Sequence, residues 1–203
     1  MHLYLVTDEE LLLGKDLCQT VVSAVKGGVT MVQLREKNSS TREFIERAVR
    51  LKNALAPYKV PLIINDRLDV ALAAGADGLH IGQSDMPYDC VKRILPAGML
   101  IGLSVESRQQ VYEANQMEVD YIAASPVFST LTKTDTLIEW GLDGIRWIKS
   151  VSRHPVIAIG NIKKTNIASV FDAGADGVAV VSAVIASAEP ETAARELLKA
   201  AGI

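Results

Sequence analysis

The chain has 203 residues, 49% hydrophobic and 22% charged, which is enough for one full core and too short for two comfortable domains. Its formal net charge of -3 provides no field that would gather nucleic acid, so any anion must be held by a local arrangement of side chains. Cys18 and Cys90 stand far apart and form neither a CxxC pair nor a Cys/His cluster, which excludes a disulfide scaffold and a structural zinc site.

Short β-rich runs alternate with helical patterns along the whole chain. In order, the sequence predicts strands over 3–7, 30–35, 60–65 and 78–81, with amphipathic helices over 16–26, 41–56, 67–74 and 88–95 following them. The second half repeats the alternation, with strands over 99–104, 120–125, 155–159 and 177–182 and helices over 107–116, 142–151, 164–173 and 190–200. Helix 41–56 shows the pattern well, since Phe44, Ala48 and Leu51 fall on one face. An Ala-Gly-Ala-Asp-Gly repeat at 74–78 and 173–177 marks helices that end on glycine and turn at once into a buried strand. Asp77 and Asp176 therefore read as structural residues on the lower face of a sheet. Lys26 to Val32 and Met117 to Ile122 are weaker versions of the same turn.

Eight units of this length, over residues 1–203, would close a compact (β/α)8 TIM barrel as a single domain. An open doubly wound sheet is the alternative. Against it, no Gly-x-Gly-x-x-Gly follows the first strand, and the acidic run Thr7-Asp8-Glu9-Glu10 there would repel a pyrophosphate. The N-terminus lacks the basic start and apolar run of a signal peptide, and no apolar stretch reaches the roughly 18 residues of a membrane helix. The expectation is a cytoplasmic protein with neither a membrane nor a nucleic-acid partner. The sequence leaves the oligomeric state open, with a homodimer as the arrangement to test.

A barrel gathers its chemistry just after each strand, on one rim. Along Met31-Val32-Gln33-Leu34-Arg35-Glu36-Lys37, side chains alternate, so Gln33, Arg35 and Lys37 point one way while Val32 and Leu34 bury against helices. Two cations at the end of one face form an anion site, or else cap the strand and pair with neighbouring acids. Later strand ends supply Asn65 and Asp66, Gln83 and Asp85, and Ser104. The loop after strand six, 125–135, is rich in hydroxyls and carries Lys133, and Gly160-Asn161 and Val181-Ser182 follow strands seven and eight. Asp66 and Asp85 suit a hard cation such as magnesium, which takes one or two carboxylates plus phosphate oxygens. Each is equally explained by itself as an N-cap of the following helix. Gly160-Asn161 and Val181-Ser182 stand where such barrels hold a phosphate through backbone NH groups. Two anion sites on one rim point to a reaction between two phosphorylated molecules.

Other chemistries fit less well. Strand six, Tyr121-Ile122-Ala123-Ala124, offers no lysine for a Schiff base, and there is no Ser/His/Asp triad or Gly-x-Ser-x-Gly elbow. His80 inside an apolar strand reads as a hydrogen-bonded core histidine, and His154 before Pro155 as a lower-face residue. Trp140 and Trp147 read as packing residues.

Gln33-x-Arg35-Glu36-Lys37, Asn65-Asp66-Arg67-x-Asp69-x-Ala71-Leu72, Ala76-Asp77-Gly78-x-His80-x-Gly82-Gln83-x-Asp85, Pro126-Val127-Phe128-x-Thr130-x-Thr132-Lys133 and Ala175-Asp176-Gly177 together resemble the thiamine-phosphate synthase family, nearly end to end and in order. The resemblance implies a (β/α)8 transferase that joins hydroxymethylpyrimidine diphosphate to a thiazole phosphate with Mg2+, releasing pyrophosphate. It implies that Gln33, Arg35, Lys37, Asn65, Ser104 and Lys133 contact the pyrimidine diphosphate and that Asp66 and Asp85 hold the metal. Arg35, Lys37, Ser104 and Lys133 would then carry the catalysis. Thr130, Thr132, Gly160, Asn161, Val181 and Ser182 would hold the thiazole phosphate. The chain departs from the family pattern at Asn161, where a second glycine is usual, and at Ser125 and Ser129. Thiazole tautomerase-like relatives and a non-catalytic phosphate-binding barrel are the rival readings. The first would lack the diphosphate residues and carry a histidine near Pro126.

Overall fold

The structure, a computed structural model, describes residues 2–129 and 139–203. Eight parallel strands pair in sequence order and close on themselves, β1 (Leu3–Val6), β2 (Met31–Leu34), β3 (Leu62–Asn65), β4 (Gly78–Ile81), β5 (Leu100–Val105), β6 (Tyr121–Ala124), β7 (Val156–Ile159) and β8 (Gly177–Val180). Closure is direct, since Leu3, Tyr4 and Leu5 of β1 register with Val178, Ala179 and Val180 of β8. The barrel reading is correct and the open-sheet alternative falls, because a doubly wound sheet would leave two unpaired edges.

Nine α-helices surround the strands among the described residues: α1 (Leu17–Lys26), α2 (Thr41–Leu55), α3 (Leu68–Ala74), α4 (Tyr88–Ile94), α5 (Arg108–Ala114), α6 (Gly141–Val151), α7 (Ile167–Asp172), α8 (Ser182–Ile185) and α9 (Pro190–Ala200). α2 shows how local chemistry fixes an element. Ser40 and Glu43 form a capping box at its start, and Phe44, Ala48, Leu51 and Leu55 bury one stripe against the barrel. α7 is shorter than the predicted 164–173, because Lys163 to Asn166 forms a turn in which Asn166 Oδ1 accepts from the Lys163 N–H at 2.8 Å. The short helix α8 lies where the sequence reading placed only a loop.

The side chains divide by alternation. Leu3, Leu5, Val32, Leu34, Leu62 and Ile64 face outward into the layer between strands and helices, while Tyr4, Met31, Ile63, Tyr121, Ile157 and Ala179 fill the barrel axis. The inner layer needs glycine at Gly102. A Cβ there would lie 2.2 Å from Tyr121 Cζ and 2.5 Å from His80 Nδ1, so the tyrosine ring crosses the axis only because that side chain is absent.

The repeated Asp-Gly turns hold the closed end of the barrel. Asp77 Oδ2 accepts the Leu62 N–H at 2.8 Å, Asp120 Oδ2 that of Ile101 at 2.7 Å, and Asp176 Oδ2 that of Val156 at 2.7 Å. Thr30 Oγ1 takes the corresponding N–H of His2 at 3.3 Å. Each side chain before an even-numbered strand thus satisfies the backbone donor at the start of the strand before it, which makes the structural reading of Asp77 and Asp176 correct. His154, on the same face, contacts the Ala114 carbonyl through Nε2 at 2.9 Å. Replacing Asp176 with Ala leaves the Val156 N–H without its acceptor and frees Lys149. The expected loss is about 1–3 kcal/mol in denaturant unfolding with little change in the m-value. An unchanged midpoint would remove Asp176 from this role.

Candidate active site

At the opposite end the strand termini surround a cleft of about 1130 Å3. Every described residue singled out for site chemistry lines it: Gln33, Arg35, Lys37, Asn65, Asp66, Asp85, Ser104, Gly160, Asn161, Val181 and Ser182. Thr130, Thr132 and Lys133 lie outside the described residues.

The β2 end positions the basic side chains by alternation that continues past the strand. Gln33 is buried, Glu36 turns outward beneath the loop, and Arg35 and Lys37 face the cleft. The Glu36 carboxylate takes the Ser39 hydroxyl at 2.7 Å and pairs with Arg47. Burial pushes it above the usual carboxylate range against the opposing Ser39 bond, and neighbouring Glu9 pushes the same way. That outward anchor holds the loop on which both cations sit.

The cations are already matched. Arg35 Nη1 bonds Asp8 Oδ2 at 3.2 Å, and Lys37 Nζ bonds Asp66 Oδ2 at 2.6 Å. Of the two alternatives drawn from sequence, pairing with acids and anion binding, the structure contains the first, arranged so that the second remains open. Asp8 belongs to the acidic run read only as hostile to pyrophosphate. Its spacing two residues past the inward Val6 was the signal that it joins the rim.

Asp66 and Asp85 are not helix N-caps. Arg67 and Pro87 occupy those positions for α3 and α4, and neither helix has a side-chain cap. Asp66 instead adopts a left-handed backbone, φ +63°, which turns its carboxyl back to Lys37 and Asp85. Asp85 Oδ2 accepts the Gly82 N–H at 2.7 Å. Burial raises Asp66, but bonding to Asp85 and Lys37 outweighs it and holds the group below its ordinary range. Burial and the Asp66 contact push Asp85 the other way, above its range. Two neighbouring carboxyls pushed in opposite directions beside one ammonium are a donor set short of positive charge, which fits a hard cation completed by phosphate oxygens and water. No group of three or more His, Cys, Asp or Glu side chains able to hold a metal occurs among the described residues.

Across the mouth, the backbone is shaped by Gly160 at φ +116° and Asn161 at φ +49°. A Cβ at Gly160 would lie 2.6 Å from Pro126 Cβ, so the turn packs against the loop after β6 at a distance only glycine permits. Asn161 keeps the left-handed geometry expected of it, and its carbonyl takes the Asn166 amide at 3.0 Å. Val181 and Ser182 open α8 beside this turn. Lys15, which no sequence pattern singles out, ties α8 down, its Nζ donating to the carbonyls of Ile185 at 2.6 Å and Ser187 at 2.7 Å.

The floor is a polar chain through the barrel axis. Gln33 Nε2 donates to Tyr4 OH at 2.7 Å, the Tyr4 and Tyr121 hydroxyls bond at 2.8 Å, and His80 reaches Tyr121 OH through Nδ1 at 3.1 Å and Ser104 Oγ through Nε2 at 2.9 Å. His80 is hydrogen-bonded in the core, as read from sequence, and also lines the cleft. Tyr4 and Tyr121 were missed as site residues. Their inward positions on apolar strands were the available signal, since a buried phenol requires a partner. Trp140 and Trp147 are packing residues, stacked with ring centroids 6.2 Å apart, and Trp140 Nε1 donates to the Val105 carbonyl at 3.2 Å.

The described family Thiamine monophosphate synthase matches residues 3–184. The thiamine-phosphate synthase of Albidiferax ferrireducens is 51% identical over 197 residues, covering 97% of this chain and 90% of that protein. The same enzyme of Vibrio campbellii is 46% identical, covering 97% and 96%. A solved structure of thiamine phosphate pyrophosphorylase from Pyrococcus furiosus superimposes with a TM-score of 0.91 at 39% identity, covering 99% of this chain and 95% of that one. With its closed barrel and its two-sided polar rim, this chain belongs to the thiamine monophosphate synthase family.

Proposed function

We propose that this protein, as one barrel domain in the cytoplasm, couples hydroxymethylpyrimidine diphosphate to a thiazole phosphate, yielding thiamine phosphate and pyrophosphate. The observation that carries this reading is the division of one rim. Arg35, Lys37, Asp66, Asp85 and Ser104 gather on one side of a single cleft, with Gly160, Asn161, Val181 and Ser182 on the other. Thr130, Thr132 and Lys133 complete the two sides in the proposal.

The chemistry follows from the residues. The bond from the pyrimidine methylene carbon to the diphosphate oxygen breaks, and its electron pair leaves on the oxygen. Arg35, Lys37 and Lys133 stabilise the charge that grows there. Mg2+, held by Asp66 and Asp85, would supply further positive charge to the departing diphosphate. The thiazole nitrogen then gives its lone pair to the electron-poor carbon. No protein nucleophile is required, so holding two substrates in line is the main task, and the absence of a triad from the sequence is consistent with this. A tautomerase-like role would leave the pairing of Arg35, Lys37, Asp66 and Asp85 without a purpose.

Incubating the protein with both substrates, with and without magnesium, tests the proposal. Thiamine phosphate and pyrophosphate should appear in equal amounts, and binding of the thiazole phosphate without any coupling would support the non-catalytic barrel instead. Asp85→Ala is expected to abolish magnesium-dependent turnover while circular dichroism and thermal unfolding stay close to wild type; a near wild-type rate would take Asp85 out of the metal site. Arg35→Ala should slow single-turnover bond cleavage by about tenfold or more, the scale of one lost charge-assisted contact. An unchanged rate would contradict its role. Gly160→Ala, which forces a side chain into a left-handed position against Pro126, should raise KM for the thiazole phosphate by about tenfold and leave KM for the pyrimidine diphosphate unaltered. Equal effects on both would show that the turn does not serve one substrate.

A further inference from the structure

With the Gln33 amide nitrogen against Tyr4 OH, the buried chain Gln33–Tyr4–Tyr121–His80–Ser104 takes one direction. Each phenol carries one proton and can donate once. Burial pushes both Tyr4 and Tyr121 well above the ordinary phenol range, so neither gives that proton up. Gln33 Nε2 donates to Tyr4 OH, which leaves the Tyr4 hydrogen for Tyr121. Tyr121 then has its own hydrogen for the next partner, His80 Nδ1. In a neutral imidazole the ring nitrogen that accepts is bare, which puts the one proton on Nε2, facing Ser104 Oγ. The serine oxygen is occupied as an acceptor, and its hydrogen is left for the cleft.

We propose that Tyr121 and His80 are positioning residues that fix this polarity, so that the Ser104 hydroxyl donates into the cleft and selects a substrate ring presenting a bare nitrogen there. The inference rests on the proposed function in one respect, that the ring is the pyrimidine of the diphosphate substrate. The geometry favours a fixed direction over a freely reversing one. The His80 and Tyr121 rings stack with centroids 5.6 Å apart and an interplanar angle of 24°, and Tyr4 meets Tyr121 edge-on at 5.8 Å. Gly102 provides the space that both His80 and Tyr121 occupy. With each hydroxyl and ring nitrogen paired to the next, the polarity changes only if every proton in the chain moves together. The opposite orientation of the Gln33 amide would reverse each bond, make Ser104 donate to His80, and select a ring N–H or amino group.

The first measurement needs no substrate. In protein labelled with 15N-histidine, the His80 signals, assigned among three histidines by their loss in His80→Gln, should show a bare Nδ1 and a protonated Nε2. A proton on Nδ1, or on both nitrogens, would overturn the proposal whatever the protein catalyses. Tyr121→Phe keeps the ring and removes the donor. It should convert the single tautomer into a mixture and lower kcat/KM for the pyrimidine diphosphate about tenfold, with KM for the thiazole phosphate unmoved. A purely structural tyrosine would lower stability without changing the tautomer, and that result would count against the assignment. Finally, replacing one pyrimidine ring nitrogen by C–H should weaken calorimetric binding to wild type about tenfold and leave binding to Ser104→Ala unchanged by the replacement. If no ring nitrogen is coupled to Ser104 in this way, the selection does not exist. If wild type binds both substrates but never couples them, the proposed function fails while the tautomer result stands by itself.

Discussion

Everything on the inside of this barrel is constrained by one fact: a side chain that points to the axis of eight closed strands meets the side chains of the opposite strands and nothing else. Apolar residues satisfy that condition by packing, and polar ones only by pairing, because a buried hydroxyl or imidazole without a partner costs about 1–3 kcal/mol. Tyr4, Tyr121, His80, Gln33 and Ser104 meet the condition together, as one chain of hydrogen bonds. No buried side-chain polar atom among the described residues lacks a partner. The chain begins in the core and ends at a serine on the cleft wall, so the requirement to satisfy the interior also sets the chemistry of the floor.

The mouth obeys a different rule, because its cations reach solvent over acids that are largely buried. Arg35 and Lys37 side chains are 27% and 52% exposed, and their partners Asp8 and Asp66 are 14% and 19% exposed. A fully exposed pair contributes about 0–1 kcal/mol, and these, with their acids largely buried, are held more firmly than that. In the proposed reaction a diphosphate would bring several negative charges to the same place and offer both cations a multivalent partner. The pairs hold the basic side chains near the rim. Lys37 also offsets part of the charge on both carboxyls, by its bond to Asp66 and through space at Asp85.

Strand alternation and rim position made most of this legible in the sequence. The period of two along Gln33, Arg35 and Lys37 placed all three correctly, since a strand has no other way to direct its side chains. The same reasoning placed the ends of the other strands, and the Asp-Gly repeat announced the clamps at Asp77 and Asp176. What was not legible depends on contacts between residues distant in the chain. Asp8 meets Arg35, and Lys15 meets the carbonyls of Ile185 and Ser187, only after β1 and β8 have closed the barrel. α8 was missed because four residues carry no periodicity to detect. The N-cap reading of Asp66 and Asp85 failed for a related reason. A short polar residue before a helix usually caps it, but here a left-handed turn at Asp66 and the Gly82 N–H at Asp85 direct the carboxyls elsewhere.

The two halves of the rim differ in stiffness, and the difference suits a reaction that separates charge and then forms a bond. On the Gly160 side the groups proposed to face a phosphate are backbone, fixed by a turn packed against Pro126 and by Lys15 closing the far end of α8. A molecule held there cannot move far, which is what a nucleophile attacking a short-lived cation requires. On the Arg35 side the groups are long side chains in ion pairs with Asp8 and Asp66, which in the proposed reaction would follow a diphosphate as it moves away from carbon. The floor between them, with its paired hydroxyls and the Tyr121 ring wedged over Gly102, is the rigid surface on which the proposed reaction would rest the pyrimidine ring. Rigid backbone for the attacking group and adaptable cations for the leaving group are opposite requirements. A barrel meets both because its eight loops are built independently on one frame.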